Sequence, residues 1–270
     1  MIDNFFDTRS LINFKNKASK DWEKHNFIFD KFSNILFKKV NEINSYFKNI
    51  LIFSSDSKEL SEKFSKLKFQ NLLLVSQYEK LLDKVLFENS RMHKILSSPK
   101  HIPLKNDNFD LIVCNFCLHN MNDKIKYLNK LHKLLNQDGV LFCNFFGEDS
   151  LLELKNSLYV TDEKIFNGPF LRIPPMLKMV DISNMLSNIG FKETVSESIR
   201  YEIYYKNVFS LLREIKGIGE NNCMKMRKKS LMTRSYLEKL NEVYIQKHSN
   251  SQSQLKVTCD IVSICTWKEN

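Results

Sequence analysis

Short apolar runs alternate with amphipathic segments through the middle of this 270-residue chain. Four of five runs of four to seven residues are rich in Ile, Leu, Val and Phe, the run at 92–96 reads Met-His-Lys-Ile-Leu, and segments with apolar residues three and four apart separate the runs. This alternation predicts βαβ units with a parallel sheet. Because most of the runs are almost continuously apolar, we expect helices to cover both faces of that sheet. The runs are residues 50–53, 72–75, 92–96, 109–114 and 140–146.

The regions around these runs complete the predicted organisation. Apolar spacing predicts leading helices at 4–20 and 26–48, further helices at 149–160, 177–189, 207–215 and 233–247, and strands at 191–204 and 257–267. The length predicts one domain over residues 1–270. Within it we expect N-terminal helices (1–48), a βα core (49–147), and helical additions with a final β-pair (148–270).

Charge and cysteine content restrict the environment of the chain. The net charge is +10, but the one dense basic run, residues 225–229, has no interleaved aromatic residues, so nucleic acid is not the expected partner. The six cysteines lie mostly in apolar runs, which is typical of a reducing cytosol. With no apolar stretch of 18 residues and no basic leader before an apolar segment, we predict a cytoplasmic protein without a membrane span.

Glycine is scarce and unevenly placed. All six glycines lie at position 139 or later, so the first 138 residues contain none. Gly-rich phosphate loops need backbone positions without a Cβ atom, and the first half of the chain therefore contains neither the G-x-G-x-x-G nor the G-x-x-x-x-G-K-[ST] type. Any nucleotide site at the carboxyl ends of the first strands must be built in another way.

Four sequence blocks carry a family resemblance. They are Phe6-Asp7-Thr8-Arg9-Ser10-Leu11, residues 104–113 with 118–123, residues 138–141 with 146–154, and Lys216-Gly217-Ile218-Gly219-Glu220-Asn221-Asn222-Cys223 followed by Arg227-Lys228. Together they resemble the class I S-adenosylmethionine (SAM)-dependent methyltransferases. The nearest resemblance is to the mitochondrial complex I assembly arginine hydroxylase family and its α-proteobacterial homologues, which are similar to malonyl-carrier-protein methyltransferases of biotin synthesis. This implies a Rossmann-like α/β fold whose mostly parallel seven-stranded sheet ends in an antiparallel strand.

The resemblance also implies SAM as the cofactor and gives its expected position. The cofactor-binding candidates are Phe53, Ser54, Ser55, Asp56, Ser76, Gln77, Ser98, Pro99, Asn115 and Phe116. The three glycines of the family loop fall on Ser54, Asp56 and Lys58, and its cofactor-holding acids fall on Ile52, Ser76 and Ser98. Because charge-assisted bonds to the ribose and adenine are lost with those acids, we expect weak or absent SAM binding.

Two other groups of residues could carry chemistry. His119 follows the fourth predicted strand, where it could act on a substrate as a proton carrier or could equally serve as a helix-entry histidine bonded to the backbone. The pair Cys114 and Cys117 straddles the end of a strand and lacks a second pair, so we expect a structural role and no metal site.

Two hypotheses about function follow from these observations. The first is an enzyme that hydroxylates or methylates a protein side chain, such as an arginine of a respiratory complex I subunit. The second is a binding or assembly protein that keeps the methyltransferase fold without its chemistry. An RNA methyltransferase is a third reading, but it rests on charge alone.

Overall fold

The computed structural model describes residues 5–44, 46–55, 57–87, 89–230 and 232–269. The strands are β1 (Tyr46–Ser54), β2 (Lys68–Ser76), β3 (Met92–Leu96), β4 (Phe109–Asn115), β5 (Leu135–Phe146), β6 (Lys192–Tyr205) and β7 (Leu255–Trp267). The helices are α1 (Thr8–Ala18), α2 (Trp22–His25), α3 (Phe27–Ile43), α4 (Ser57–Phe64), α5 (Glu79–Leu82), α6 (Lys124–Leu134), α7 (Leu152–Phe166), α8 (Met179–Ile189), α9 (Val208–Gly217) and α10 (Arg234–His248).

The strands form one sheet in the order β3-β2-β1-β4-β5-β7-β6. β1 to β5 pair in parallel, and β7 lies antiparallel between β5 and β6. The predicted mostly parallel seven-stranded sheet with a C-terminal antiparallel strand is therefore confirmed. The strand order reverses between β1 and β4, and ligands of such sheets bind at the carboxyl ends of the strands beside this switch point.

Burial on both faces of the sheet explains why the strand runs are continuously apolar. Leu51 of β1 packs in a cluster with side chains of α6 and α8. Its neighbours Ile50 and Ile52 pack in a second cluster with side chains of α3 and α4. Successive side chains of a strand point to opposite faces, so each position of the run at 50–53 in β1 faces an apolar cluster and needs an apolar residue. The prediction of helices on both faces is confirmed.

Several element boundaries differ from the sequence prediction. The helix predicted to reach residue 48 ends at Ile43, because Asn44 has extended backbone (φ −156°, ψ 138°) and Tyr46 already pairs with Lys68 of β2. The helix predicted after the second strand is reduced to the four residues of α5. The Asn-Gln-Asp-Gly stretch at 136–139, whose residue types are typical of a turn, lies inside β5 as a bulge, where Asp138 has a left-handed φ of 59°.

The carboxyl edge of the sheet is covered by α1, α2, α3 and the segment that follows α9. Two glycines allow this close packing. A Cβ atom at Gly217 would overlap the ring of His25, and one at Gly219, whose φ is 69°, would lie 2.9 Å from the Cα of Lys15. The Lys-Gly-Ile-Gly motif therefore lets the chain approach α1 and α2. None of the described helices combines the length and the apolar character needed to cross a membrane.

Candidate functional site

A small cavity lies at the predicted cofactor position, where β1, β2 and β3 end. Five predicted residues line it, namely Phe53, Ser54, Ser76, Gln77 and Pro99. Its volume is about 10 Å³, which is room for about one water molecule. Pockets for ligands of drug size have volumes of about 300–1,000 Å³. In this arrangement the residues at the predicted position do not fit a SAM molecule.

The remaining cofactor candidates lie outside that small cavity. Ser55 binds the end of β4: its N–H donates to the carbonyl oxygen of Asn115 (3.3 Å) and its hydroxyl to the carbonyl oxygen of Phe116 (3.2 Å). Ser98 lies in the loop after β3, and Asp56 lies outside the described residues. The loop after β1, which would have to cradle the methionine part of SAM, is therefore tied to β4.

Two serines that stand where the family resemblance places acids, Ser76 and Ser98, accept hydrogen bonds from backbone N–H groups of their own turns. The Ser76 hydroxyl accepts the N–H of Tyr78 at 3.2 Å. The Ser98 hydroxyl accepts the N–H of Lys100 at 3.3 Å. Both bonds stabilise the turns in which the serines lie. Neither side chain replaces the charged acceptor that a ribose or an adenine amino group would need.

Aromatic side chains fill the space above the end of β4. Phe116 has a left-handed φ of 52°, and its ring centroid lies 4.6 Å from that of Phe29 in α3 and 5.0 Å from that of Phe146 in β5. Trp22 of α2 packs on Phe29 at 4.9 Å. All four side chains are buried in one hydrophobic cluster. The N-terminal helices thus close the sheet edge with an apolar core.

A much larger cavity opens beyond the ends of β4 and β5. Its volume is about 850 Å³, within the usual range for small-molecule sites. His119 and Asn120 from the loop after β4 line it, together with Phe146 and Ser150. Its other walls come from α7, α9 and α10, from the N-terminal helices α1 to α3, from β6 and β7, and from the loops at 171–176 and 218–230. Space for a ligand is therefore present beyond the ends of β4 and β5, and we call this side of the sheet edge the acceptor side.

A buried charge cluster lies at the inner end of this larger cavity. Glu220 accepts hydrogen bonds from Lys15 Nζ at 2.6 Å and from Asn120 Nδ2 at 2.9 Å, and its Oε2 lies 3.1 Å from His119 Nε2. Burial raises the pKa of Glu220, but the charges of Lys15 and His119 outweigh that effect and hold the pKa well below its ordinary value. Lys15 also donates to the carbonyl oxygen of Ile218 at 2.9 Å.

The loop over the larger cavity is fastened to α7. The Arg172 guanidinium forms three hydrogen bonds with the buried carboxylate of Asp162: its Nε donates to Oδ2 at 2.7 Å and to Oδ1 at 2.9 Å, and its Nη2 donates to Oδ1 at 2.6 Å. The hydroxyl of Tyr236 and the N–H of Phe170 also donate to Asp162. Burial raises the pKa of Asp162, yet these hydrogen bonds outweigh it and the pKa lies below its ordinary value. This loop is therefore pinned in place.

Sequence reasoning placed His119 in this region but missed its partners. Lys15 and Glu220 are 205 positions apart, and no local pattern joins them. The signal that could have found Glu220 is its position directly after the Lys-Gly-Ile-Gly motif. The observed partner of the His119 ring is the Glu220 carboxylate, which its Nε2 atom contacts at 3.1 Å; the role of His119 stays a prediction. Its Nδ1 atom is buried without a hydrogen-bond partner among the described residues.

Cys114 lies near the end of β4 within the core, and Cys117, just after β4, is half-buried. Cys114 is the register partner of Cys143 on β5, and the Tyr127 hydroxyl lies 3.6 Å from the Cys114 sulfur. Cys114 and Cys143 are fully buried. Within the part of the chain that the structure describes, no three His, Cys, Asp or Glu side chains are grouped so as to hold a metal ion. This geometry is consistent with a structural role for the pair Cys114 and Cys117.

Comparison with known proteins agrees with this architecture. Residues 59–143 match a family described as "Methyltransferase domain". The mitochondrial arginine-hydroxylase NDUFAF5 of Rattus norvegicus is 30% identical over 174 residues, which is 64% of this chain and 50% of that protein. The protein of the same name from Danio rerio is 23% identical over 93% of this chain and 80% of its own length. The chain thus spans about half the length of the rat relative.

Among solved structures, the YcgJ protein of Bacillus subtilis superposes with a TM-score of 0.61. It is 13% identical, and the match covers 89% of this chain and 99% of that one. An identity this low supports the fold alone. The fold agrees with the class I architecture expected from the four sequence blocks.

Proposed function

We propose that this chain, which belongs to the class I methyltransferase superfamily and is a relative of the mitochondrial arginine hydroxylases, is a binding or assembly protein that does not hold SAM tightly. Its partner in this proposal is another protein, with a respiratory complex I subunit as the first candidate. The family resemblance supports the proposed partner, and the small cavity at the cofactor position supports the proposed weak binding of SAM.

One observation carries the proposal: the contrast between the two cavities. The cavity at the cofactor position has a volume of about 10 Å³, whereas the cavity on the acceptor side has about 850 Å³. An enzyme that had merely weakened its cofactor contacts would keep the space for the cofactor. Here the cavity at the cofactor position is lined closely by Tyr78, Cys117 and Tyr127, whereas the larger cavity beyond the ends of β4 and β5 has room for a ligand.

The cofactor part of the proposal is tested by thermal unfolding with SAM. A ligand at 100 times its Kd stabilises the folded chain by about 2.7 kcal/mol, which raises the Tm of a protein of this size by about 5–10 °C. We expect no rise in Tm up to 1 mM SAM or S-adenosylhomocysteine. A rise that saturates in this range would contradict the proposal. A SAM-using methyltransferase, unfolded in parallel, serves as the positive control.

The partner is tested by affinity purification of the tagged chain from its native cells, followed by mass spectrometry. We expect a complex I subunit among the specific partners. Failure to recover any such subunit, with the chain itself recovered in good yield, would contradict this part of the proposal.

A second candidate is an enzyme that modifies a protein side chain. The name of the rat relative, an arginine hydroxylase, and the open acceptor-side cavity with His119 favour it. The two candidates differ in the state of the partner. If the chain is an enzyme, arginines of the recovered partner carry an added oxygen atom or methyl group in wild-type cells and lose it when the chain is deleted. Unmodified arginines in both cells favour the binding protein.

A further inference from the structure

The walls of the 850 Å³ cavity are largely apolar. Leu154 and Leu158 of α7, Leu211 and Leu212 of α9, and Leu237 of α10 all line it, and all belong to one hydrophobic cluster. Moving apolar surface from water into such surroundings is favourable, roughly in proportion to the apolar area removed from water. The cavity is therefore suited to an apolar chain.

The acidic groups in the cavity wall are already bound to basic side chains. Glu220 pairs with Lys15 at 2.6 Å, and Glu214 lies 2.7 Å from the Nδ1 atom of His25. A positively charged ligand would have to compete with Lys15 and His25 for these carboxylates. The carboxylates of the wall thus offer little attraction to a guanidinium or an ammonium group.

Three lysines of the cavity wall have no such partner. Lys216, Lys228 and Lys229 line the cavity, and across the described residues none of them forms an ion pair. The Nζ atom of Lys228 lies 3.6 Å and 4.0 Å from the ring centroids of Phe166 and Phe170. Unpaired cations in a concave site with apolar walls act over a longer range than on an open surface.

From these features we propose that the cavity binds an amphipathic anion, a molecule whose apolar chain ends in a carboxylate or a phosphate group. The chain lies against the leucines of α7, α9 and α10, and the anionic end faces the three lysines. This inference rests on the proposed function in one respect: it names the class of ligand for the larger cavity, in which that function places the binding. An arginine side chain, in contrast, would meet charges of its own sign.

Three probes with the same ten-carbon chain test the proposal by isothermal titration below their micelle-forming concentrations. They are sodium decanoate, decyl phosphate and decyltrimethylammonium. We expect at least one of the two anions to bind about tenfold more tightly than the cation. The better anion shows which end group the site prefers. Failure of both anions to bind, or binding of the cation as tightly as the anions, would overturn the proposal.

Variants locate the binding in the cavity. The double variant Lys228→Glu with Lys229→Glu should weaken binding of the preferred anion about tenfold. Lys225→Glu changes an exposed lysine of the same basic run that does not line the cavity, and it should leave the Kd unchanged. An equal loss of affinity in this control would show non-specific attraction to a basic surface and would overturn the proposal.

A second pair of variants is independent of charge. Leu212→Trp adds volume to the cavity wall and should weaken binding of the anion, whereas Ile165→Trp places the same side chain on an exposed part of α7 outside the cavity. An unchanged Kd for Leu212→Trp would place the ligand elsewhere and overturn the inference. The SAM titration is a separate result: a rise in Tm with SAM contradicts the proposed function, whereas absent anion binding contradicts only the ligand class.

Discussion

The replacement Glu220→Gln tests the buried charge cluster most directly. It preserves the size of the side chain but removes the charge that faces Lys15. The Lys15 side chain is 1% exposed and that of Glu220 is 13% exposed, so water cannot replace the lost partner. Removing one member of a buried ion pair leaves an uncompensated charge, which typically costs about 3–5 kcal/mol of unfolding free energy.

The remaining contacts of Lys15 place the expected cost at the lower end of that range. Its Nζ atom keeps the carbonyl oxygen of Ile218 at 2.9 Å, and it lies 5.5 Å and 5.0 Å from the ring centroids of Trp22 and Phe29. These contacts partly stabilise the cation. We therefore expect Glu220→Gln to lower the free energy of unfolding by about 3 kcal/mol, and the Tm by about 6–12 °C.

Acid sensitivity gives the prediction a second readout. The folded state holds the pKa of Glu220 well below its unfolded value, which is about 4.3. The stability contributed by the charged carboxylate is therefore complete above the unfolded pKa and is lost as the pH falls towards the folded pKa. Urea unfolding between pH 7 and pH 3 should show the wild type losing stability faster than Glu220→Gln, so that the two curves converge at low pH.

The double variant Lys15→Met with Glu220→Gln controls for lost packing. It removes both charges, and it should be more stable than Glu220→Gln alone because no buried charge is left unpaired. A cost below about 1 kcal/mol for Glu220→Gln, or a stability difference from wild type that does not change with pH, would refute the reasoning. Either result would mean that water or another group reaches Lys15.

Two further variants test close packing and the fastening of the loop. Gly217→Ala should lower the unfolding free energy by about 1–3 kcal/mol, because its Cβ atom overlaps the ring of His25. Gly168→Ala is the control: no atom lies within 4 Å of its Cβ, so it should leave the thermal midpoint nearly unchanged. Equal shifts of the thermal midpoint in the two variants would contradict this prediction. Arg172→Ala should speed limited proteolysis of the loop over the larger cavity, because Asp162 loses its three hydrogen bonds from the guanidinium. An unaltered cleavage rate would show that the loop is held by other contacts.

Much of the fold could be predicted because the sheet is buried on both faces. The apolar runs had to be continuous, since Leu51 and Ile52 of β1 pack into different clusters, and this pattern is visible without a structure. The boundary at residue 44 was less visible. The helical spacing of α3 continues past it, and only the pairing of Tyr46 with Lys68 shows that the strand has begun.

The candidate site could be predicted in position but not in shape. The rule that ligands bind at the carboxyl ends of parallel strands brought Ser54, Ser76 and Pro99 to one cavity wall. The filling of this region could not be read from local sequence, because it depends on a left-handed Phe116 and on Phe29 reaching it from α3. The cation that holds Glu220 lies 205 positions away, on a helix that reads only as amphipathic.

The loop after β1 and the aromatic cluster beside it are linked in the structure. A glycine loop leaves backbone N–H groups open to a cofactor, whereas here the loop after β1 is bonded to β4 through Ser55, and the rings of Phe116, Phe29 and Phe146 pack together at the end of β4. Burying each such ring stabilises the fold by about 1.5–3 kcal/mol. A substitution that introduced a single glycine or acid at the end of β1 or β2 would leave these aromatic contacts intact. We therefore expect such a single substitution to leave the proposed weak binding of SAM unchanged.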